Sequence, residues 1–265
     1  MNTDGEPVNV RARRAFQATL QRALGFRRYL YVFSRYKVAT LHRDPLEGDV
    51  LHFASMLPTD GVVLDIGANI GIMTVHLARR VGHGHVHAFE PVPDNFATLR
   101  RIVRHFELSN VTLHRMALGD EDTDLEMVMP VQRSVRMQGL SRVVGKDGPP
   151  AADPGPGEGE HYNVPQCRLD DLEMLRDVPI AGIKIDVEGF EPRVFAGGAE
   201  LIERWKPIVY TELGDEESKA ACLVQFDRLG YTVGVLDGDR VVPYVPGTHT
   251  KHNFFLLPPG HQLTA

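Results

Sequence analysis

The chain has 265 residues, 43% hydrophobic and 24% charged, enough to bury one α/β core with an appendage. A net charge of −6 weighs against nucleic acid as the main partner, and Cys167 and Cys222 are too isolated for a metal or disulfide pattern. No apolar run approaches the ~20 residues of a membrane span. The first residues lack the apolar core of a secretory signal, so a reduced, cytoplasmic protein is expected.

Charge is unevenly placed. Residues 1–43 carry nine basic residues against two acids, a local +7 that leaves −13 for the remainder. This segment predicts a helix over 10–37, with Phe16, Leu20 and Leu24 at four-residue steps and a Tyr/Phe-rich end. Two roles fit it. The apolar stripe can cap the rest of the chain or a twin subunit in a homodimer, or the basic face can make peripheral contact with anionic lipid or a carrier-bound acidic substrate. A second helix is expected from 47 to 57. Residues 1–57 thus read as a helical lid or appendage, and 58–265 as the main domain.

From Val62 onward strands and helices alternate, the pattern of a parallel sheet covered on both faces. Strands are predicted over 62–66, 85–89, 111–116, 182–186, 207–212, 231–236 and 253–257. Helices are predicted over 70–81, 93–106, 190–204 and 216–229. The rhythm breaks between 120 and 168, where residues 146–160 hold four Gly and four Pro in fifteen positions. That stretch reads as a flexible insertion within the domain.

The most informative run is Val62 to Gly71, a buried strand ending in Asp65 and a turn with Gly67 and Gly71 four apart. Glycines at a strand-to-helix turn permit tight geometry and close approach of a ligand to the main chain. A dinucleotide pyrophosphate wants uncluttered amides before a helix N-terminus, and an acid at the strand tip would repel it. Asp65 instead suits a ligand carrying an ammonium and a sulfonium, as S-adenosylmethionine does. Glu90, at the next strand tip and 25 positions later, is placed to accept hydrogen bonds from both ribose hydroxyls. Asp186 and Glu188 follow the strand Ile183-Lys184-Ile185, and Glu212 ends Pro207-Ile208-Val209-Tyr210-Thr211. Ligands of open parallel sheets bind at these carboxyl ends, so the acids should converge.

In order, DIGANIG, AFEPVPDNF, MALGD, LDDL, IKIDVEGFE and PIVYTE over about residues 44 to 257 resemble the FkbM-type family of S-adenosylmethionine-dependent O-methyltransferases. IKIDVEG is the most diagnostic part. The resemblance implies the class I, Rossmann-like methyltransferase fold, a seven-stranded, mostly parallel sheet with an antiparallel last strand. It implies that Gly67, Ala68, Asn69 and Gly71 line the methionine side of the cofactor, that Glu90 holds the ribose, and that Met116 and Ala117 lie near the adenine. One departure is Arg104-His105, where family members often carry an Asn.

The expected activity is methylation of a hydroxyl on a saccharide, glycolipid or polyketide-like metabolite. Such a hydroxyl is poorly ionised and gains from a general base, worth typically 10²–10⁴-fold. The candidates are Asp186, Glu188, Glu212 and a histidine, His249 or His252 beside Lys251, of which His252 is carried forward. Asp186 and Glu212 could also hold Mg²⁺, which two carboxylates plus waters can do. Two alternatives share part of the pattern. An NAD-linked oxidoreductase has the same strand–Gly turn–helix opening, and a non-catalytic module could bind S-adenosylmethionine without using Asp186 and Glu212.

Overall fold

A computed structural model describes residues 8–44, 48–132, 135–144 and 159–261, with residues 8–14 and 132 in backbone only. Two helices open the described chain, α1 (Val8–Leu24) and α2 (Phe26–Thr40), followed by α3 (Gly48–Met56). One continuous helix over 10–37 was expected. Gly25 breaks it by adopting φ 74, a left-handed conformation through which an α-helix does not run.

Next come β1 (Val62–Ile66), α4 (Ile72–Arg80), β2 (His85–Phe89), α5 (Pro93–His105) and β3 (Val111–His114). A second set of strands follows: β4 (Ala117–Gly119), β5 (Thr123–Gln132), β6 (Val135–Arg136), β7 (Arg142–Val143) and β8 (Gly159–Arg168). The alternation then resumes with β9 (Ile180–Ile185), α6 (Glu191–Gly197), α7 (Ala199–Trp205), β10 (Ile208–Glu212) and α8 (Glu216–Arg228). It closes with β11 (Thr232–Asp237), β12 (Arg240–Pro243) and β13 (Asn253–Leu257). The predicted helix over 190–204 is split at Gly198, where a Cβ would lie 2.8 Å from the Leu169 side chain.

The main sheet has the order β12-β11-β13-β10-β9-β1-β2-β3. β1 pairs in parallel with β2 on one side and β9 on the other, so the strand order reverses there and opens a crevice at the carboxyl ends. β13 runs antiparallel to both β10 and β11, as expected of the last strand. The sheet has eight strands rather than the expected seven, because β12 folds back on β11 as a hairpin through Gly238 at φ 61. This is the class I methyltransferase sheet with one added edge strand.

Side-chain alternation divides the core between the two faces. Leu64 and Ile66 belong to one buried cluster with Phe26, Tyr29 and Leu30 of α2, and Val63 belongs to another with Phe53 and Leu57 of the α3 region. The helices of the expected lid therefore share their buried surface with the sheet. The insertion differs from expectation: β5 and β8 form an eight-pair antiparallel ladder, with β4, β6 and β7 attached. Leu125, Met127 and Met129 alternate into the core from β5. Residues 145–158, most of the Gly/Pro-rich stretch, lie outside the described residues. Among the described residues, no helix is long and apolar enough to cross a membrane.

Candidate functional site

The turn after β1 is defined by its backbone. Gly67, Asn69 and Gly71 have φ of 73, 49 and 84, three left-handed residues in five positions. Gly67 and Ala68 donate their amides to the Phe89 carbonyl, which ties the turn to the end of β2. A Cβ on Gly67 would stand 1.9 Å from the Asp186 carbonyl, so glycine here lets the β1 and β9 turns touch. A Cβ on Gly71 would meet Leu99 and Ile102 of α5, and Gly71, expected beside the ligand, does not line the two cavities described below. Ser34 of α2 donates to the Ile70 carbonyl and anchors the turn from the other side.

Asp65 was expected to face the ligand, but its exposure is 0%. Its Oδ2 accepts from the Thr74 hydroxyl at 2.6 Å, and Lys184 Nζ lies 3.5 Å from Oδ1. The cause is register: Asp65 of β1 stands opposite Lys184 of β9, so both side chains leave the sheet on one face. Lys184 Nζ also donates to the Gly67 carbonyl at 2.9 Å and lies 3.4 Å from that of Ile66. Burial works to lower the Lys184 pKa, yet Asp65 and Asp186 outweigh it and the net shift is upward. The acid at the strand tip is thus neutralised by the protein and braces the glycine turn.

Glu90 is 4% exposed and lines the crevice. Its carboxylate accepts from the Asn69 amide at 2.8 Å and the Val92 amide at 2.9 Å, with Asn95 Nδ2 at 3.4 Å. Burial pushes its pKa up to about 7, against the pull of those hydrogen bonds. It is therefore both a wall of the crevice and a brace for two turns.

Two cavities meet at this edge. The first is a slot with apolar walls that include Phe89, Met116, Leu118, Met127 and Val143, with Glu90 and Glu188 among its polar groups. Ala117 also lines it, beside Met116. Gln138, Gly139 and Ser141 bring the insertion over the slot. The second, of about 700 Å³, is lined by Ala68, Lys184, Tyr210, Glu212 and His252, with Phe33 and Lys37 from α2. Gly67, Asn69, Gln138 and Asp186 line both. Asn69 Oδ1 is buried there without a hydrogen-bond partner, an acceptor aimed at the junction.

The expected base candidates divide between the cavities. Asp186 borders both, Glu212 and His252 border the second, and Glu188 borders the slot. His252 is exposed, and its carbonyl accepts from the Leu213 amide at 2.8 Å, holding the approach to β13 against the end of β10. His249 lines neither cavity; its Nδ1 accepts from the Val245 amide. Glu188 has φ 56, unusual for a residue with a side chain. Burial, with Asp186 and Glu212 nearby, pushes its pKa up to about 8. Among the described residues no group of three or more His, Cys, Asp or Glu is arranged to hold a metal ion. Asp186 and Glu212, the expected Mg²⁺ pair, gain no third side-chain ligand.

Lys184, Asn95 and Gln138 belong to the site and were not anticipated from the sequence. Lys184 had a signal, a lone cation in the centre of a buried apolar strand. Gln138 had none, since it arrives from the insertion. The residues present fit S-adenosylmethionine in kind: an apolar slot, a buried carboxylate, Glu90, on its wall, and further acids toward the wall it shares with the second cavity.

Comparison with known proteins agrees. The sequence profile of the Methyltransferase FkbM domain matches residues 65–252. Methyltransferase 1 of Beauveria bassiana (strain ARSEF 2860) is 28% identical over 227 residues, covering 79% of this chain and 87% of its own length. The 31-O-demethyl-FK506 methyltransferase FkbM of Streptomyces tacrolimicus is 33% identical over 165 residues, covering 55% of this chain and 62% of its own. The crystal structure of methyltransferase FkbM from Methylobacillus flagellatus KT has a TM-score of 0.49 at 17% identity, covering 75% of this chain and 44% of that one. With the profile spanning most of the chain, from the acid of β1 to the lead-in of β13, this protein belongs to the FkbM family of S-adenosylmethionine-dependent methyltransferases.

Proposed function

We propose that the protein methylates a hydroxyl of a small-molecule or glycolipid acceptor, of saccharide or polyketide-like character. The observation that carries this is the shared wall of the two cavities, with Asp186 bordering both. A cofactor in the slot and an acceptor in the second cavity would meet there, the arrangement an in-line displacement needs, with nucleophile and methyl carbon about 3–3.5 Å apart. The Streptomyces relative supports an oxygen acceptor, since its name gives an O-demethyl compound as substrate.

Bound in the slot, S-adenosylmethionine supplies an electrophilic methyl on a sulfonium. The chain's own residues do the rest. Glu90 would accept from the ribose hydroxyls, the Gly67–Asn69 turn and Asn69 Oδ1 would receive the methionine end, and Met116 and Ala117 would flank the purine. Asp186 would take the proton of the acceptor hydroxyl as its oxygen becomes methylated. Glu212 and His252 orient the acceptor from the second cavity. Glu188, on the slot side, serves the cofactor and not the acceptor. An NAD-linked oxidoreductase is disfavoured by the family match, and a non-catalytic module by the acids of the second cavity.

The test is methyl transfer from methyl-labelled S-adenosylmethionine to a panel of hydroxyl-bearing saccharides and polyketide-like alcohols. Base-stable ether product would support the proposal. Label recovered on nitrogen, or released as methanol by mild base, would replace it with another acceptor.

A further inference from the structure

Half of the large hydrophobic side chains left exposed among the described residues lie in one place. Phe16 is 65% exposed, Val32 52% and Tyr36 62%, and with Leu24 they border a groove of about 750 Å³ between α1 and α2. The stripe expected to pack as a cap is therefore only partly used. Leu20 meets the core, while Phe16 and Leu24 remain at the surface. An apolar groove of this size is an expected ligand site, not ordinary surface. The decisive feature is adjacency: Phe33 and Lys37 of α2 line both this groove and the second cavity. The groove and the second cavity adjoin at Phe33 and at Lys37, whose Nζ donates to Asp44 Oδ2 at 2.6 Å on the groove side.

We infer that the α1–α2 groove is an outer acceptor subsite, holding the apolar portion of an amphiphilic acceptor whose hydroxyl-bearing end lies in the second cavity. The inference rests on the proposed acceptor site and names its substrate class as hydroxyl compounds with an extended apolar part. A second copy of the chain or a lipid bilayer could also cover an apolar face. Neither would account for a groove that shares Phe33 and Lys37 with the cavity beside the cofactor slot.

The experiment uses the full chain saturated with S-adenosylhomocysteine and titrated with n-alkyl glucosides of four to ten carbons, each below its critical micelle concentration. Burying each methylene is worth about 0.8 kcal/mol, or roughly a fourfold gain in affinity per carbon. The expected result is that slope in the wild type, a slope near zero in Phe16→Glu and Val32→Glu, and unchanged S-adenosylhomocysteine affinity in both. Both positions are exposed, so folding should survive, and circular dichroism checks it. Chain-length-independent binding in the wild type overturns the inference, as does a slope that persists in both variants. So does a wild-type dimer, seen by light scattering, that Val32→Glu dissociates. A slope that stands while no hydroxyl is methylated would sink the proposed O-methylation and leave the groove as a ligand site.

Discussion

Replacing Lys184 with methionine tests the structural core of the site. Lys184 is buried, faces Asp65 across the β1–β9 register, and donates to the Gly67 carbonyl. Methionine keeps most of the volume and removes the charge. Asp65, at 0% exposure, would then retain the Thr74 hydroxyl as its hydrogen-bond donor and lose its cation. Breaking a buried pair by removing one partner costs about 3–5 kcal/mol, because a charge is left uncompensated away from water. A domain of this kind is stable by about 5–15 kcal/mol, so the variant should fold with a much reduced margin. Asp65→Asn/Lys184→Met removes both charges while preserving an acceptor for Thr74, and should regain at least about 2 kcal/mol of the loss.

Urea unfolding of wild type, both singles and the double gives the coupling directly. The Lys184 pKa is raised, so its stabilisation is complete below the unfolded value near 10.5 and is lost only as pH climbs through the higher folded value. The cost of Lys184→Met should therefore be the same at pH 6 and pH 9. Folded Lys184→Met should also bind S-adenosylhomocysteine more weakly, since the Gly67 carbonyl is no longer held. A single variant within about 1 kcal/mol of wild type, or a double variant less stable than Lys184→Met, would refute the bracing role.

Gly67→Ala should destabilise by at least about 2 kcal/mol, from the left-handed φ and a Cβ driven into the Asp186 carbonyl, and a wild-type urea midpoint would contradict this. For Glu90→Gln the pH dependence decides. Its folded pKa of about 7 lies above the unfolded value, so the group costs nothing below pH 4.5 and lowers stability as pH rises through 7. Ribose hydroxyls donate to the ionised form, so Glu90 should raise wild-type cofactor affinity about tenfold from pH 6 to 8. The Gln variant should stay weaker and lose that part of the rise in calorimetric titration, keeping only what Glu188, with a pKa of about 8, contributes. Asp186→Asn should cut turnover by 10²-fold or more with cofactor affinity largely kept, and Glu212→Gln should chiefly raise the acceptor KM. Among the described residues Asp186 and Glu212 have no third His, Cys, Asp or Glu beside them, so Mg²⁺ there would need waters to complete its shell. Full activity in EDTA would leave the acid/base reading, and loss of activity restored by Mg²⁺ would assign the pair to the metal.

How much was legible in the sequence follows from where the information resides. Strands such as Val62–Ile66 and His85–Phe89 were read to the residue because a buried parallel strand is a short apolar run with a sharp end. The insertion was misread because the Gly/Pro-rich stretch at 146–160 dominated its composition. The strand beside it carried a short period-2 signal, with Leu125 and Met127 alternating against Asp124 and Glu126. The helix break at Gly25 was equally visible, but an arginine-rich amphipathic stripe on both sides concealed it.

Asp65 shows a different limit. A strand-tip acid is correctly located by pattern, but its direction depends on which residue of a strand over a hundred positions away stands opposite. Lys184 supplies the missing charge only once β9 is placed beside β1. A motif identifies which residues matter; register decides whether a carboxylate meets a ligand or a lysine. Glu90 shares both fates, facing the slot while accepting the Asn69 and Val92 amides. Removing its side chain would leave two amides without their acceptor as well as weaken cofactor binding. A loss of affinity in Glu90→Ala alone therefore cannot assign the ribose contact. Glutamine does not keep the brace whole either, because its one acceptor oxygen can serve the Asn69 amide or the Val92 amide and its amino group meets the other. The ribose contact is therefore assigned by the pH dependence of affinity and not by the loss itself.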